Sequence, residues 1–410
     1  MTVGIEKDVV IVGGGVCGSA SAYYLARVGK RVLLVEKGVI AGEASGRNGG
    51  HISPTVDGPW GPVGRLTLEI WAQLSEELGY PTEFRRSGGL YAVMEDDPFE
   101  PAQLVEYRRE SGFVAEALTP EECFKLLPQL NPRIKGGVYA PRNGHANPIL
   151  TTKGLAKAAQ DYGAEIWTHT EVTGVDVRDE SVVGVQTARG YVSAPYVVNA
   201  AGPWASAIGA MAGVTVPVMP RRIQILLSEG MAPVTEMVWS GNGIYSRQAV
   251  AGQLHFGAGG PAWDPTAQYY DKAVTAPTMQ RIAHKMVELM PGVSDVRILR
   301  SWAGVIGPTA DGDPILDLCE KPRGFVVATG FAGNGFVTGP ATGKVVSELI
   351  LTGEASIDIS GLRVSRFADR PDWVMATFEG WWNSPDRTRH TGAWAVEGVR
   401  AEPVETPTAF

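Results

Sequence analysis

Two kinds of residue in this 410-residue chain have the type and spacing to do chemistry: glycine-rich turns that cradle phosphate, and a few polar side chains on predicted strands. Gly13-Gly14-Gly15-Val16-Cys17-Gly18 matches G-x-G-x-x-G and lies between an apolar run, Val9 to Val12, and an Ala- and Leu-rich segment, Ser19 to Val28. Gly13 permits the tight turn, Gly15 lets the backbone approach a pyrophosphate at the helix N-terminus, and Gly18 allows close packing of helix on strand. Val16 and Cys17 belong to the same turn and count with the glycines as cofactor-binding positions. Glu36 follows a second apolar run, Val32 to Val35, at the place where a carboxylate accepts hydrogen bonds from a ribose diol, and Lys37 stands beside it. An acid there repels a 2′-phosphate and disfavours NADP; on this motif alone, FAD and NAD both stay open.

The stretch Gly42-Glu43-Ala44-Ser45-Gly46-Arg47-Asn48-Gly49-Gly50-His51 comes directly after that second strand. Its paired glycines permit close backbone approach, which suits a loop around a pyrophosphate and a flavin; an ordinary surface loop is the alternative.

At these residues the chain resembles the D-amino-acid oxidase superfamily, in the branch of glycine and sarcosine oxidases, D-arginine dehydrogenase and γ-glutamylputrescine oxidase. Ser45-Gly46-Arg47-Asn48-Gly49-Gly50 is similar to the flavin loop of that branch. Val197 to Trp204, with Ala201 and Gly202, is similar to its strand and turn beside the cofactor. Trp302-Ala303-Gly304 with Thr309, Asp311, Gly312 and Pro314 is similar to its C-terminal block. Gly330-Phe331-Ala332-Gly333-Asn334-Gly335-Phe336 looks like its closing flavin motif, which runs on to Thr338. Four motifs in one order imply an α/β fold (α+β overall), with a Rossmann-like, GR2-type FAD-binding domain and a smaller antiparallel-sheet substrate domain. They also imply a backbone contact near Val172 to the adenosine part of FAD, and noncovalent FAD, since Gly304 stands roughly where a relative carries its flavin-linking cysteine. Electrostatics support the closing motif independently. Hydride uptake at flavin N5 builds negative charge near N1 and the C2 carbonyl, and backbone N–H groups at a helix N-terminus stabilise such charge.

A reductase fed by NAD(P)H would show a second fingerprint. The one candidate, Gly257-Ala258-Gly259-Gly260, is followed by Pro261 and Asp264-Pro265, which break any phosphate-binding helix. No Cys-x-x-Cys points to disulfide reduction. The electrons are therefore expected from the organic substrate, an amine or amino acid, with oxygen or another acceptor taking them up. Tyr245 and Arg247 lie two apart on a predicted strand and share a face, so Arg247 could bind a carboxylate and Tyr245 hydrogen-bond it; a solvated Tyr-x-Arg strand is the alternative. The family's carboxylate-binding arginine after Trp-Ala-Gly is Ile306 here. His51 matches a histidine that borders the substrate in D-arginine dehydrogenase, and His255 aligns with an oxygen-activating lysine of monomeric sarcosine oxidase. With Asn334 these form the expected catalytic set. The leading expectation is oxidation of a CH–NH bond to an imine by hydride transfer to N5. A 2-hydroxy acid dehydrogenase and a flavin subunit of a larger electron-transfer complex stay open beside it.

The elements that position these residues follow from periodicity. Leu66, Ile70, Leu74 and Leu78 predict a helix stopped at Gly79; Thr119-Pro120-Glu121-Glu122 predicts a capped helix through Leu127; further helices are expected over about 151–162 and 277–290. Residues 222–257 predict an antiparallel sheet, and Phe325 to Ala328 a last strand feeding a final helix to about Ile350. The expected domains are 1–84, 143–220 and 300–360 for FAD, 85–142 and 221–299 for substrate, and a tail, 361–410, that wraps the surface or meets another copy. A net charge of −8 argues against nucleic acid. Three scattered cysteines, Cys17, Cys123 and Cys319, disfavour a disulfide framework, and six histidines show no metal spacing. No signal-like N-terminus and no run of ~18 apolar residues are found, so a cytoplasmic protein with no integral membrane segment is expected.

Overall fold

The computed structural model describes residues 5–54, 58–258, 270–309 and 311–368. Val9–Val12 and Val32–Val35 are buried along their whole length, as strands covered on both faces must be: Val9, Ile11, Val32 and Leu34 pack on helices, and Val10, Val12, Leu33 and Val35 on Val175, Val185 and Val192 of a smaller sheet. They pair in parallel, Val9 with Val32 and Val12 with Val35, at the centre of a six-stranded sheet. Glu165–Trp167 flanks Val32–Val35, and Tyr196–Asn199, Phe325–Thr329 and Ile315–Leu318 extend the other side, the last strand alone running antiparallel to its neighbour.

The helix Val16–Arg27 follows the first strand, and the helix Gly335–Thr352 closes the fold against it. Gly339 and Gly343 face that first helix: a Cβ on Gly339 would lie 2.6 Å from Val16, and one on Gly343 2.4 Å from the Ala20 Cβ. Both helices share one core with Gly61–Leu78, whose Thr67 hydroxyl and Trp71 indole each donate to the Val337 carbonyl at 2.7 Å. As expected, Gly79 ends that helix in the left-handed region, at φ 67°. The capping box at Thr119 forms, and its helix spans Pro120–Leu126. The helix expected from residue 151 begins at Pro148, because the Asn147 side chain accepts from Ile149 N and Leu150 N.

A second sheet has eight strands in the order Ile298–Ile306, Arg221–Gly230, Gln253–Ala258, Ile244–Gln248, Val238–Gly241, Gly89–Met94, Ile134–Ala140, Glu116–Leu118. It is antiparallel except between Val238–Gly241 and Gly89–Met94. Period-2 alternation divides its side chains. Leu90, Leu226, Trp239 and Phe256 pack with Ile282, Met286 and Leu289 of the helix Ala276–Leu289 on one face. Ile223, Ile225, Ser240 and Tyr245 point to the other. Ile298–Ile306 pairs along Arg221–Ser228, so the domain boundary expected at residue 300 falls inside one strand of this sheet. A four-stranded sheet (Ile5–Glu6, Gly190–Ser193, Ser181–Thr187, Val172–Arg178) and a ribbon of His51–Ile52 with Gly144–His145 complete the set.

Of the expected tail, residues 361–368 fold back. Phe367 is buried against the six-stranded sheet's core, and Arg366 binds the Asp311 carboxylate at 2.7 and 3.2 Å. Residues 369–410 lie outside the described residues, as do 259–269 with most of the rejected second fingerprint.

Gly343→Val should force the first and last helices apart and lower the melting temperature by several degrees, since overpacking typically costs about 1–3 kcal/mol. An unchanged melting curve would show that this contact is not tight.

Candidate active site and cofactor cleft

A cleft of about 240 Å³ runs along the carboxyl ends of the six-stranded sheet, walled by both glycine turns. Gly13, at φ 114°, passes so close to Ala200 that a Cβ would lie 2.4 Å from its carbonyl oxygen, and a Cβ on Gly18 would lie 2.0 Å from Gly13 O. Gly18 thus packs beneath the turn and does not line the cleft; Gly15, Val16 and Cys17 do. The Glu36 carboxylate accepts from Gly14 N at 2.7 Å and Gly38 N at 2.6 Å, which fixes it at the cleft wall. Ser45 Oγ accepts from Val16 N at the head of the first helix, 2.9 Å away. Val172, Ala201, Gly202 and Trp204 line the same space. The Lys37 ammonium lies 3.4 Å from the centre of the Trp204 ring, and burial lowers its pKa against the opposing pull of Glu36 and Glu43.

The closing turn bends through three left-handed residues, Gly330 at φ 87°, Ala332 at φ 45° and Gly333 at φ 96°, before Asn334 opens the last helix. Gly330, Gly333, Gly335 and Phe336 line the cleft. Thr338 does not: its hydroxyl donates to Asn334 O inside the helix at 2.9 Å. A long channel of backbone between two helix N-termini, with an acid fixed at one wall, fits an extended dinucleotide.

A second cavity of about 100 Å³ adjoins the cleft; Ala44, Asn48, Ile306, Gly333 and Phe336 line both. Its walls also hold Arg47, Gly49, Gly50, His51, Tyr245 and Asn334, which brings the flavin loop, the large sheet and the closing turn together. The loop is fastened there by its backbone. Trp302 Nε1 donates to Arg47 O at 2.8 Å, the Arg47 guanidinium donates to Gly42 O and Ala303 O at 2.9 and 3.2 Å, and Asn48 Oδ1 accepts from Gly50 N at 2.8 Å. Gly49 is in contact with the Tyr245 ring, which a Cβ would approach to 3.0 Å.

His51 and Tyr245 meet edge to face, their ring centres 5.3 Å apart, and His51 Nε2 is buried with no hydrogen-bond partner. Two expected residues stand elsewhere. Arg247 lines neither cavity; its Nε donates to Gly49 O, so this guanidinium braces the loop. His255 pairs across the strands with Arg247 and rests edge-on against Trp302, 5.8 Å between centres, also outside both cavities. The sequence reading missed Ser53 and Ser240 in the cavity wall. Period-2 spacing from His51 could have found Ser53, whereas Ser240 is brought in by its pairing with Tyr245.

Electrostatics around His51 are one-sided. Burial holds its pKa well below the usual value, and Arg247, His145 and His255 push the same way. Burial and Arg247 bring His145 and His255 down to about 4 each. Arg247 itself falls to about 10, because burial outweighs the pull of Glu83. All three imidazoles are therefore neutral at pH 7, with the charged Arg247 guanidinium among them and Arg85 also acting on His145. Among the described residues, no group of His, Cys, Asp and Glu side chains could hold a metal, and no helix is long and apolar enough to cross a membrane.

Comparison with known proteins agrees with this geometry. The family model "DAO: FAD dependent oxidoreductase" matches residues 8–349. Sarcosine oxidase subunit beta of Rhizobium meliloti (strain 1021) is 31% identical over 376 residues, 88% of each chain. The crystal structure of glycine oxidase from Geobacillus kaustophilus superposes with a TM-score of 0.82 at 27% identity, over 88% of this chain and 99% of that one. That of L-proline dehydrogenase from P. horikoshii gives 0.81 at 26% identity, over 90% and 99%.

Unfolded histidines titrate near ~6.5, above the folded values of His145 and His255. The unfolded chain then binds more protons between about 6.5 and 4, so stability that is full above this window is lost as the pH falls through it. Melting temperature measured across that range should drop, and His255→Leu should flatten the drop; parallel curves for the two proteins would contradict the burial of a neutral His255.

Proposed function

This chain belongs to the DAO family of FAD-dependent oxidoreductases, and from that premise we propose that it takes a hydride from the carbon beside a substrate's amine nitrogen. It is an FAD-dependent amine or amino-acid oxidoreductase; the proposal concerns how its own residues serve that chemistry. The cofactor's ribose is assigned to Glu36, its pyrophosphate to the turn from Gly13 to Gly18 with Ser45, its adenosine part to the neighbourhood of Val172, and its flavin to the loop Arg47–Gly50 and the turn Gly330–Phe336. FAD supplies the acceptor for the hydride. Gly304, beside Arg47 in the cavity wall, offers no thiol for a covalent link, which supports noncovalent binding.

The observation that carries the reading is the buried, unpartnered Nε2 of a neutral His51 in the cavity that adjoins the cleft. A hydride leaves the α-carbon only when the nitrogen lone pair can form the new C=N bond, so the amine must be neutral. A neutral imidazole accepts a hydrogen bond from such a nitrogen, and the Tyr245 ring packed on His51 fixes where it points. The nitrogen's remaining proton leaves as the imine forms, and water then cleaves the imine to a carbonyl compound and an amine. Asn334 at the head of the closing helix completes the wall opposite. Electrons pass on to oxygen or to another acceptor.

Relatives whose names call them subunits favour a second reading, in which the chain serves as the flavin subunit of a larger assembly. Turnover of an amine by the isolated chain with an artificial acceptor would argue against it.

Anaerobic mixing of the yellow holoenzyme with a panel of primary and secondary amines and amino acids should bleach the flavin with at least one of them. Matched 2-hydroxy acids should leave it oxidised, and the reverse pattern would overturn the proposal. His51→Leu should slow the bleaching by about 10- to 100-fold while FAD content stays unchanged; an unaltered rate would remove His51 from the reaction.

A further inference from the structure

Strand order fixes what stands at the mouth of the cofactor cleft. Tyr196–Asn199 and Val32–Val35 flank Val9–Val12 in the six-stranded sheet, so the turn after Asn199, which carries Trp204, and the loop after Val35, which carries Glu43, stand on either side of the first glycine turn. Ligands of such sheets lie in the crevice beyond the carboxyl ends of the strands. Residues 270–275 touch both sides of this crevice. The Tyr270 ring stacks on Trp204, 5.7 Å between centres with the planes 29° apart, and the Lys272 ammonium pairs with the Glu43 carboxylate at 2.8 Å. Trp204 and Glu43 line the cleft, whereas Tyr270 and Lys272 stand outside that lining. The stretch is anchored to the large sheet: Asp271 pairs with Arg222 of the strand Arg221–Gly230 and accepts from Ala273 N at 2.9 Å, and Thr275 N donates to Gln224 Oε1 at 3.2 Å.

We propose that residues 270–275 form a clasp over the FAD cleft, with Tyr270 and Lys272 as the two catches that set how fast the cofactor enters and leaves. The clasp depends on FAD occupying the cleft and not on which substrate is oxidised. A segment joined to both walls must let go of at least one of them before a dinucleotide can pass between them. Both catches are of a kind that releases readily. Tyr270 is 38% exposed, and the partners of the ion pair are 39% and 33% exposed, so water competes for each contact. The receiving ring is itself held, since the Lys37 ammonium lies 3.4 Å from the centre of Trp204. Tyr270 and Lys272 thus grip protein side chains at the rim, and their loss lowers the barrier to opening for entry and exit alike, changing the rate of exchange more than the affinity.

The test dilutes the full-length holoenzyme and follows FAD release by flavin fluorescence, with the FAD content reached at equilibrium giving Kd. Tyr270→Ala should speed release by about 10-fold and Lys272→Met by about 3-fold, and the double variant by about 30-fold, each with Kd within about 2-fold of wild type. Tyr270→Phe, which keeps the stack, should release FAD at the wild-type rate. Lys272→Met alters an exposed side chain, so it reads the clasp even where Tyr270→Ala does not fold. Release at the wild-type rate in Lys272→Met and Tyr270→Ala would overturn the proposal. So would faster release matched by an equal loss of affinity, which would make these residues part of the bound state and not of a gate, or release from Tyr270→Phe as fast as from Tyr270→Ala.

Discussion

The rest of the structure depends on how closely two helices from opposite ends of the chain approach one another. Val16–Arg27 and Gly335–Thr352 touch through Gly339 and Gly343, where any Cβ would press on Val16 and Ala20. Dispersion falls steeply with distance, so a contact of backbone on side chain is available only to glycine there. Its consequence is geometric. The closing turn is delivered beside the opening turn, with Cys17 Sγ 3.9 Å from the Gly335 carbonyl, across more than three hundred residues of sequence. Two helix N-termini then open into one cleft, and a dinucleotide can lie between them.

A second constraint ties that cleft to the large sheet. The loop after Glu36 is short of apolar side chains, so packing alone does not hold it; hydrogen bonds from Trp302 and Arg247 to its carbonyls, and from its Arg47 guanidinium to the Ala303 carbonyl, do. Each joins the loop to a strand of the eight-stranded sheet, either Ile298–Ile306 or Ile244–Gln248. Arg247 is best understood in this light. Its guanidinium fixes the carbonyl of Gly49, and through it the wall on which His51 stands.

What was legible in the sequence was what is local. The glycine fingerprint, the acid at Glu36, the capping box at Thr119 and the stop at Gly79 each need only a few neighbouring residues, and each was found where spacing placed it. Alternation along Ile244–Gln248 correctly put Tyr245 and Arg247 on one face, but it could not say that the Gly49 carbonyl waits for the guanidinium, because that partner is 198 residues away. Spacing likewise could not show where Thr338 turns: helical geometry directs its hydroxyl back to Asn334 O. Ser240 carried no local signal at all. Its place follows from strand pairing, which is a long-range outcome of folding.

The electrostatic arrangement around His51 then acquires a chemical meaning. Three imidazoles kept neutral by burial surround a guanidinium that stays charged at pH 7, since about 10 lies well above it. A fixed positive charge in a weakly polarisable setting penalises a second cation nearby and lowers the pKa of any amine brought beside it. For the proposed reaction this is the useful sign, because an ammonium has no lone pair with which to expel a hydride. A site with this charge pattern thus favours the neutral form of a bound amine, without needing a strong general base among its own side chains.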